Sequence, residues 1–425
     1  MTKIRSKIKS RQKAILMGVG TSDIAKEDIE ESLEELRQLA VTAGAEVINI
    51  MLQRMTSINP ATYIGKGKAK ELSDEVKSRE CDLVIFDDEL SPAQAGSLER
   101  ILECSVIDRT GLILDIFALH ARTKEAKIQV ELAQNKYLLP RLTGQWTHLE
   151  RQEGAIGTRG PGETQLETDR RAVRRRISKL EKELDKIDSQ RAVRRANRRG
   201  FKLAAAIGYT NAGKTTLLNA LSGANALVED KLFATLDTIV RKVSLRKGNE
   251  LLLSDTVGFI RKLPHDLVAS FKSTLSETIE ADLLLHVIDS SQPNIMARME
   301  AVTSVLHEIG IEDKPMIHVF NKSDLVESSG KKKALMKNFP DGVFISAARG
   351  DGLEELKDKI YEKISFGSVT KTVSIPVSES RFLSEIHSSG RVLNVSQLDG
   401  QMLIEFEATV EAASKIQNKV NKLSE

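Results

Sequence analysis

The feature that most limits the fold is a glycine-rich turn between an apolar run at 203–207 and a helical pattern at 214–221. The turn has the form G-x-x-x-x-G-K-[ST] and comprises Gly208, Tyr209, Thr210, Asn211, Ala212, Gly213, Lys214 and Thr215. In this context backbone N–H groups and the helix dipole hold phosphates, the lysine reaches their oxygens, and the final hydroxyl ligates Mg²⁺. The turn therefore predicts a P-loop in a parallel α/β domain.

A second motif selects the base. It follows an apolar run at 316–320 and comprises Asn321, Lys322, Ser323 and Asp324. The Asp324 carboxylate can accept hydrogen bonds from N1–H and the N2 amino group of guanine, a pair of donors that adenine lacks. Asn321 adds a polar contact, and the Lys322 stem can lie across the ring. A backbone N–H of a further turn can reach guanine O6, and its residues are Ser346, Ala347 and Ala348. These motifs indicate GTP and GDP as ligands.

Two further segments are expected to contact the γ-phosphate of GTP. The first follows an apolar run at 251–254 and comprises Asp255, Thr256, Val257 and Gly258. Asp255 is suited to hold Mg²⁺ through water, and the Gly258 N–H to contact the γ-phosphate. The second comprises Phe233, Ala234, Thr235, Leu236 and Asp237. Its Thr235 can ligate Mg²⁺ together with Thr215 while the triphosphate is present, and Thr238 is the rival ligand. We expect Lys214, Thr235 and Gly258 to carry GTP hydrolysis, with Mg²⁺ as cofactor.

Two longer stretches carry a resemblance to a known family. They read GPGETQLETDRR at 160–171 and DTVGFIRKLPH at 255–265. Together with the nucleotide motifs they resemble the HflX family, within the Obg-HflX group of translation-factor-class GTPases. The resemblance implies a small parallel α/β N-terminal domain, a helical arm and a Ras-like P-loop GTPase domain. It also implies binding to rRNA of the large ribosomal subunit and a role in splitting or rescuing stalled ribosomes, with the GTP state gating binding and release.

The charge of the chain is unevenly distributed. The formal net charge is only +3, but residues 1–13 carry six basic residues and no acidic one, and 170–199 carry 13 Lys and Arg against 4 acids. The second segment also has apolar residues at heptad spacing, which are Leu166, Val173, Ile177, Leu180, Leu184 and Ile187. This pattern predicts a helix that pairs with a neighbour, and 121–139 is the candidate for an antiparallel pair. An arm with this charge is suited to bind rRNA phosphates. The alternative is that the arm is a simple spacer between domains.

The remaining patterns divide the chain into four parts. Strands at 14–19, 47–51, 83–86 and 106–108 alternate with helices at 25–43, 66–78 and 92–103, which predicts a parallel α/β domain. A glycine-rich loop at 141–162 joins the two arm helices. The Asp399-Gly400 turn between two strands and a helix at 411–423 predict a small C-terminal α+β module. The predicted boundaries are 1–118, 119–200, 201–367 and 368–425.

Several classes are excluded. No apolar run reaches about 18 residues, so we expect no integral membrane segment. The two cysteines, Cys81 and Cys104, cannot form a disulfide framework, and we expect them to pack in the N-terminal core. A reducing cytoplasmic setting and a monomeric protein are the expectations.

Two residues bear on the rate of hydrolysis. Phe259 follows Gly258, where many GTPases place a water-orienting Gln, so we expect slow intrinsic turnover that the ribosome accelerates. Asn211 resembles the P-loop asparagine of relatives that use K⁺ in place of an arginine finger.

Two alternatives to this function stay open. One is a GTP-switched RNA-binding adaptor with incidental turnover. The other is an ATP-dependent RNA-remodelling enzyme with a second nucleotide site in its N-terminal domain.

Overall fold

The computed structural model describes residues 12–22, 25–143, 161–196, 201–223, 232–233, 238–245, 249–262, 264, 276–311, 314–326, 329–365, 368–377, 381–398 and 400–421. These residues form three sheets and a long helical arm. Among them, every helix is too short or too polar to span a lipid bilayer.

The N-terminal sheet is parallel, with strand order β2-β1-β3-β4. Its strands are β1 (Lys13–Gly20), β2 (Glu46–Arg54), β3 (Leu83–Phe86) and β4 (Ser105–Asp108). The helices are α1 (Lys26–Thr42), α2 (Lys66–Ser78), α3 (Pro92–Leu102) and α4 (Arg109–His120). Because side chains alternate along β1, Leu16 packs in the core with α1 and α4, and Met17 packs in the opposite core with α2 and α3. The predicted α/β arrangement is confirmed, and both cysteines pack in the N-terminal core.

Helix α4 is absent from the prediction. Its residues from Arg109 to Phe117 are all buried, so it lacks the polar face on which a helical period is recognised. The Asp108 side chain caps it by accepting a hydrogen bond from the Gly111 N–H. The helix leads directly into the arm.

The arm consists of α5 (Lys124–Leu138), a short 3₁₀ helix (Leu139–Thr143) and α6 (Pro161–Ala196). Ile128 and Leu132 of α5 form a buried cluster with Leu180 of α6, as the heptad pattern predicts. The prediction was wrong about the start of the second helix, because Gly162 lies inside its first turn. A proline is tolerated at the first helical position, because the N–H group that it lacks would have no partner within the helix. The loop glycines 154, 157 and 160 lie outside the described residues.

The third part is a six-stranded sheet with order β10-β9-β8-β5-β7-β6, in which only β6 runs antiparallel to its neighbour. Its strands are β5 (Lys202–Gly208), β6 (Ile239–Ser244), β7 (Glu250–Asp255), β8 (Leu283–Asp289), β9 (Met316–Asn321) and β10 (Val343–Phe344). Its helices are α7 (Lys214–Ser222), α8 (Ser276–Glu280), α9 (Ile295–Glu308), α10 (Ser329–Asn338) and α11 (Leu353–Ser365), with a 3₁₀ turn at Ser323–Leu325. The parallel strands bring the predicted nucleotide motifs to one edge of the sheet.

The C-terminal part is an antiparallel sheet with order β11-β13-β12. It comprises β11 (Ser368–Pro376), α12 (Arg381–Ser389), β12 (Arg391–Leu398), β13 (Gln401–Thr409) and α13 (Val410–Asn421). Ile404 and Phe406 of β13 are fully buried in a core with Ile416 of α13. The two strands of the predicted hairpin and the closing helix are present, and Gly400 has a positive φ of 77°. Asp399 of the predicted turn lies outside the described residues.

Candidate nucleotide-binding site

The P-loop joins β5 to α7 and depends on two glycines. Gly208 and Gly213 have φ values of 148° and 90°. A Cβ on Gly208 would lie 2.1 Å from the Val287 carbonyl oxygen, and one on Gly213 would lie 2.3 Å from Asn321 Nδ2. Since neither position has room for a side chain, the loop is bound closely to β8 and to the predicted base-binding motif.

Lys214 is buried beneath this loop. Its Nζ donates to the carbonyl oxygens of Gly208 and Tyr209 at 3.1 and 2.8 Å. Burial lowers the pKa of Lys214 to about 8, although the Asp255 carboxylate opposes the shift. A buried ammonium that is held by carbonyl oxygens is suited to meet the negative charge of a phosphate.

Two oxygen groups meet beside the P-loop. The Thr215 hydroxyl lies 2.6 Å from Asp255 Oδ2, and the Asp255 side chain is fully buried. The Thr256 hydroxyl donates to the Ala206 carbonyl at 2.7 Å and fixes the turn against β5. A hydroxyl and a carboxylate next to a phosphate-binding loop form a set of hard oxygen donors that fits Mg²⁺.

The segment after Asp255 pairs with the P-loop through its backbone. The Phe259 N–H donates to the Gly208 carbonyl at 3.1 Å, and the Thr210 N–H donates to the Phe259 carbonyl at 2.7 Å. The Phe259 side chain is 2% exposed and belongs to the apolar cluster that includes Phe117 and Phe233. It therefore offers no polar group that could orient a water molecule.

Asn321 connects the predicted base-binding motif to its neighbours. The amide of Asn321 donates to the Ala212 carbonyl at 2.9 Å and accepts from the Ala347 N–H at 3.0 Å. It thereby connects the P-loop to the turn after β10, in which Ser346 is buried and Ala348 is exposed. A hydrogen bond from Ser346 lowers the pKa of Asp324. The shift favours the ionised carboxylate, which is the form that can accept hydrogen bonds from a guanine base.

Asp289 and Ser290 were missed by the sequence prediction. Lys322 Nζ lies 2.8 Å from Asp289 Oδ2, which fixes the stem of the lysine. The Ser290 hydroxyl and N–H both donate to the Asn321 carbonyl, at 2.6 and 2.9 Å. Their position directly after the apolar run at 283–288 is the signal that would have identified them, because ligand sites lie at the carboxyl ends of parallel strands.

The predicted switch segment is described only in part. Phe233 is buried and packs edge-on against Phe117 of α4, with ring centroids 4.8 Å apart. Ala234, Thr235, Leu236 and Asp237 lie outside the described residues. The predicted role of Thr235 as a second Mg²⁺ ligand therefore stays a prediction.

A second candidate surface lies on α6 of the arm. Arg174, Arg175, Lys179 and Lys182 are exposed and line one open groove with Ser178. Lys and Arg clustered along one face of a helix are the side chains that bind backbone phosphates in nucleic acid.

Three family models match successive parts of the chain. The GTP-binding GTPase N-terminal model matches 30–118, the GTP-binding GTPase middle region matches 120–198, and the 50S ribosome-binding GTPase model matches 204–322.

Similar proteins match over most of the chain. The GTPase HflX of Caldanaerobacter subterraneus is 45% identical over 96% of this chain and 94% of its own length. That of Escherichia coli K12 is 45% identical over 84% of each chain. A crystal structure of a GTP-binding protein from Sulfolobus solfataricus in complex with GDP is 29% identical, with a TM-score of 0.44, and covers 84% of this chain and 99% of that one.

Proposed function

Since this chain belongs to the HflX family of GTPases, we propose that it binds the large ribosomal subunit and that its nucleotide state controls when it attaches and leaves. The chain has a P-loop GTP-binding domain and hydrolyses GTP. Splitting or rescue of stalled ribosomes, in the cytoplasm, is the role that we propose for this cycle. The exposed basic face of α6 is the observation that carries the ribosome part of the proposal.

The proposed nucleotide site uses the residues at the carboxyl edge of the GTPase sheet. The P-loop amides from Gly208 to Thr215 surround the phosphates, and Lys214 neutralises charge that develops on the γ-phosphoryl group. The base contacts come from Asn321, Lys322 and Asp324, with Ala347 at guanine O6. Asp289 and Ser290 hold this motif in place.

Mg²⁺ fits beside Thr215. The Thr215 hydroxyl would ligate it, Asp255 would hold it through water, and Thr235 would complete the set in the triphosphate state. When bound, the ion supplies charge neutralisation at the β- and γ-phosphate oxygens. The fit rests on the 2.6 Å contact between the Thr215 and Asp255 oxygens, which places two hard donors at the predicted position.

Asn211 is the residue that would support a K⁺ ion beside the phosphates. It adopts a positive φ of 58° within the P-loop, a conformation that asparagine tolerates better than most residues. With such an ion, GTP hydrolysis is faster in K⁺ than in Na⁺ buffer. Asn211→Gly preserves the backbone conformation and should abolish the difference. Equal rates for the wild type in both buffers would refute the K⁺ hypothesis.

Hydrolysis requires a water molecule aligned with the γ-phosphate. The buried Phe259 leaves this step without a side chain at the usual position, so we propose that ribosome binding orders the switch segments and accelerates turnover. An RNA-binding adaptor with incidental turnover is the second candidate, and Phe259 is also the observation that favours it. Single-turnover hydrolysis with and without large subunits separates the two. Acceleration supports the proposed enzyme, and equal rates support the adaptor.

Sedimentation with ribosomal subunits tests the partner. We expect the full chain to sediment with large subunits in the presence of a non-hydrolysable GTP analogue and to release them with GDP. Affinity should fall steeply as salt is raised, because phosphate contacts displace counterions. Sedimentation that is independent of the nucleotide would contradict the proposed gating, and no sedimentation would contradict the partner.

A further inference from the structure

Thr210, the third residue of the P-loop, has a hydroxyl group that the fold does not use. The residue is 5% exposed, and its Oγ1 atom is shielded from solvent. Among the described residues, this atom has no hydrogen-bond partner. A buried polar atom that stays unpaired lowers the stability of a fold. Such an atom is therefore a candidate for a hydrogen bond that only a ligand or a reacting water molecule supplies.

The Thr210 side chain borders the place where the γ-phosphate is expected. A Cβ added to Gly258 would lie 2.9 Å from Thr210 Cγ2 and 3.0 Å from Lys214 Nζ. Gly258 and Lys214 are the two residues that the proposed site places against the γ-phosphate. The side chain of Thr210 therefore lies next to the phosphoryl group that is transferred to water.

The backbone of Thr210 is bound to the segment that lacks a glutamine. Its N–H donates to the Phe259 carbonyl at 2.7 Å, and the Phe259 N–H donates to the Gly208 carbonyl at 3.1 Å. Many GTPases orient the attacking water from the position of Phe259. The Phe259 side chain is buried in an apolar cluster instead. Thr210 is thus a polar side chain that the fold holds beside this position.

A single rotation about the Cα–Cβ bond of Thr210 exchanges its two γ atoms. In the structure, Cγ2 is the γ atom that faces Gly258. Side chains occupy staggered rotamers about 120° apart, and a rotation of this size places Oγ1 where Cγ2 now lies. Since Oγ1 has no partner among the described residues, the rotation breaks no hydrogen bond there. The hydroxyl can therefore turn toward the γ-phosphate when GTP is bound.

We propose that the Thr210 hydroxyl is a catalytic group, which orients the attacking water in place of the glutamine that many GTPases carry after the glycine. The water oxygen bonds to the γ-phosphorus, the bond from the γ-phosphorus to the bridging oxygen breaks, and GDP leaves with that electron pair. One water proton passes to a γ-phosphoryl oxygen, so the products are GDP and dihydrogen phosphate. The other O–H of the water donates a hydrogen bond to Thr210 Oγ1, which keeps its own proton throughout.

This inference rests on the proposed roles of Lys214 and Gly258, and it is independent of ribosome binding. The test measures single-turnover GTP hydrolysis by the full chain without ribosomes, with the protein in excess over GTP. Thr210→Val keeps the shape of the side chain and removes the hydroxyl. Thr210→Ser keeps the hydroxyl and removes the methyl group. Thr210→Ala lacks the hydroxyl and adds no bulk near the phosphate.

The hydroxyl, and not the size of the side chain, should determine the rate. We expect Thr210→Val and Thr210→Ala to hydrolyse GTP roughly 10- to 100-fold more slowly than the wild type, the value of one hydrogen bond to a charged group. Thr210→Ser should keep most of the wild-type rate. Equal losses of rate in the serine and valine variants would overturn the proposal.

Two further measurements separate catalysis from a structural effect. The affinity of Thr210→Val for a fluorescent non-hydrolysable GTP analogue should equal that of the wild type, because the hydroxyl bonds to the water and not to the nucleotide. Its free energy of unfolding without nucleotide should be no lower than that of the wild type, because valine replaces an unpaired buried hydroxyl. Thr303→Val is the matched control, since the Thr303 hydroxyl bonds to the Met299 carbonyl within α9 at 3.0 Å.

The outcomes distinguish this inference from the proposed nucleotide site. Lys214→Ala is measured alongside, and unchanged analogue affinity in that variant would contradict the site itself. Weak binding by Lys214→Ala, together with a wild-type rate in Thr210→Val, overturns only the role of Thr210. A loss of analogue affinity in Thr210→Val that is as large as its loss of rate overturns that role as well, because the hydroxyl would then bind the substrate.

Discussion

Arg109 Nη2 lies 2.7 Å from Asp87 Oδ1, and each of these side chains is only 2% exposed. Arg109 is the first residue of α4, and Asp87 follows β3 directly. Replacing Arg109 leaves the Asp87 carboxylate buried without its main partner. We expect Arg109→Met to lower the free energy of unfolding by about 3–5 kcal/mol in urea titrations. Arg100→Met on the exposed face of α3 is the control and should cost below about 0.5 kcal/mol. A cost below that of the control variant would contradict a structural role for the pair.

The same carboxylate predicts a pH dependence of stability. Burial alone would raise the pKa of Asp87, but Arg109 and Lys262 outweigh it and lower the pKa to about 2. A lowered pKa in the folded state means that ionised Asp87 stabilises the fold above pH 4 and that this stabilisation is lost between about pH 4 and pH 2. We expect a loss of about 2 kcal/mol across this window. Asp87→Asn should make the unfolding free energy less dependent on pH in this window. An unchanged pH dependence would show that other groups cause the acid sensitivity.

The positions of the nucleotide motifs were largely predictable, and the contact between domains was not. The P-loop, the Asp255 turn and the Asn321 motif are local sequences that each follow an apolar strand, so short segments define them. The Tyr209 hydroxyl of the P-loop donates to the Glu35 carboxylate of α1, although the two residues are 174 positions apart and nothing in either neighbourhood marks them as partners. Helix α4 was missed for a related reason, since its burial on all sides removes the amphipathic pattern. Three-dimensional packing alone determines both features.

Asp324 is predicted to determine the base. In Asp324→Asn the side-chain amide would replace one acceptor with a donor facing the guanine N1–H and N2 groups. We expect GTP hydrolysis to be lost, while any independent ATPase activity persists. Loss of both activities would exclude a second nucleotide site, and retained GTP hydrolysis would contradict the base assignment. Asp341→Asn is the matched control, because it makes the same substitution at an exposed position between α10 and β10.

The basic face of α6 predicts a charge-specific effect on ribosome binding. Arg175→Gln/Lys179→Gln removes two exposed charges one helical turn apart. Lys333→Gln/Lys337→Gln removes the same number at the same spacing from α10 of the GTPase domain. Only the first pair should make binding to large subunits less dependent on salt. The slope of the logarithm of the binding constant against the logarithm of the salt concentration should become shallower by about one for each phosphate that is no longer neutralised. Equal effects of both pairs would indicate non-specific attraction.

Replacing Phe259 by glutamine should not increase intrinsic GTP hydrolysis. Many GTPases orient water with a glutamine at this position, so Phe259→Gln is the obvious attempt to increase intrinsic turnover. The side chain is 2% exposed within an apolar cluster shared with Phe117 and Phe233, and an amide there would be buried among carbon atoms. We expect the variant to lose about 2–4 kcal/mol of unfolding free energy, from poorer packing and an unpaired polar group. Intrinsic single-turnover hydrolysis should not rise. Phe259→Leu is the matched control, since it keeps the site apolar and should cost less. A stable Phe259→Gln variant with faster hydrolysis would show that the side chain can leave the core and reach the nucleotide.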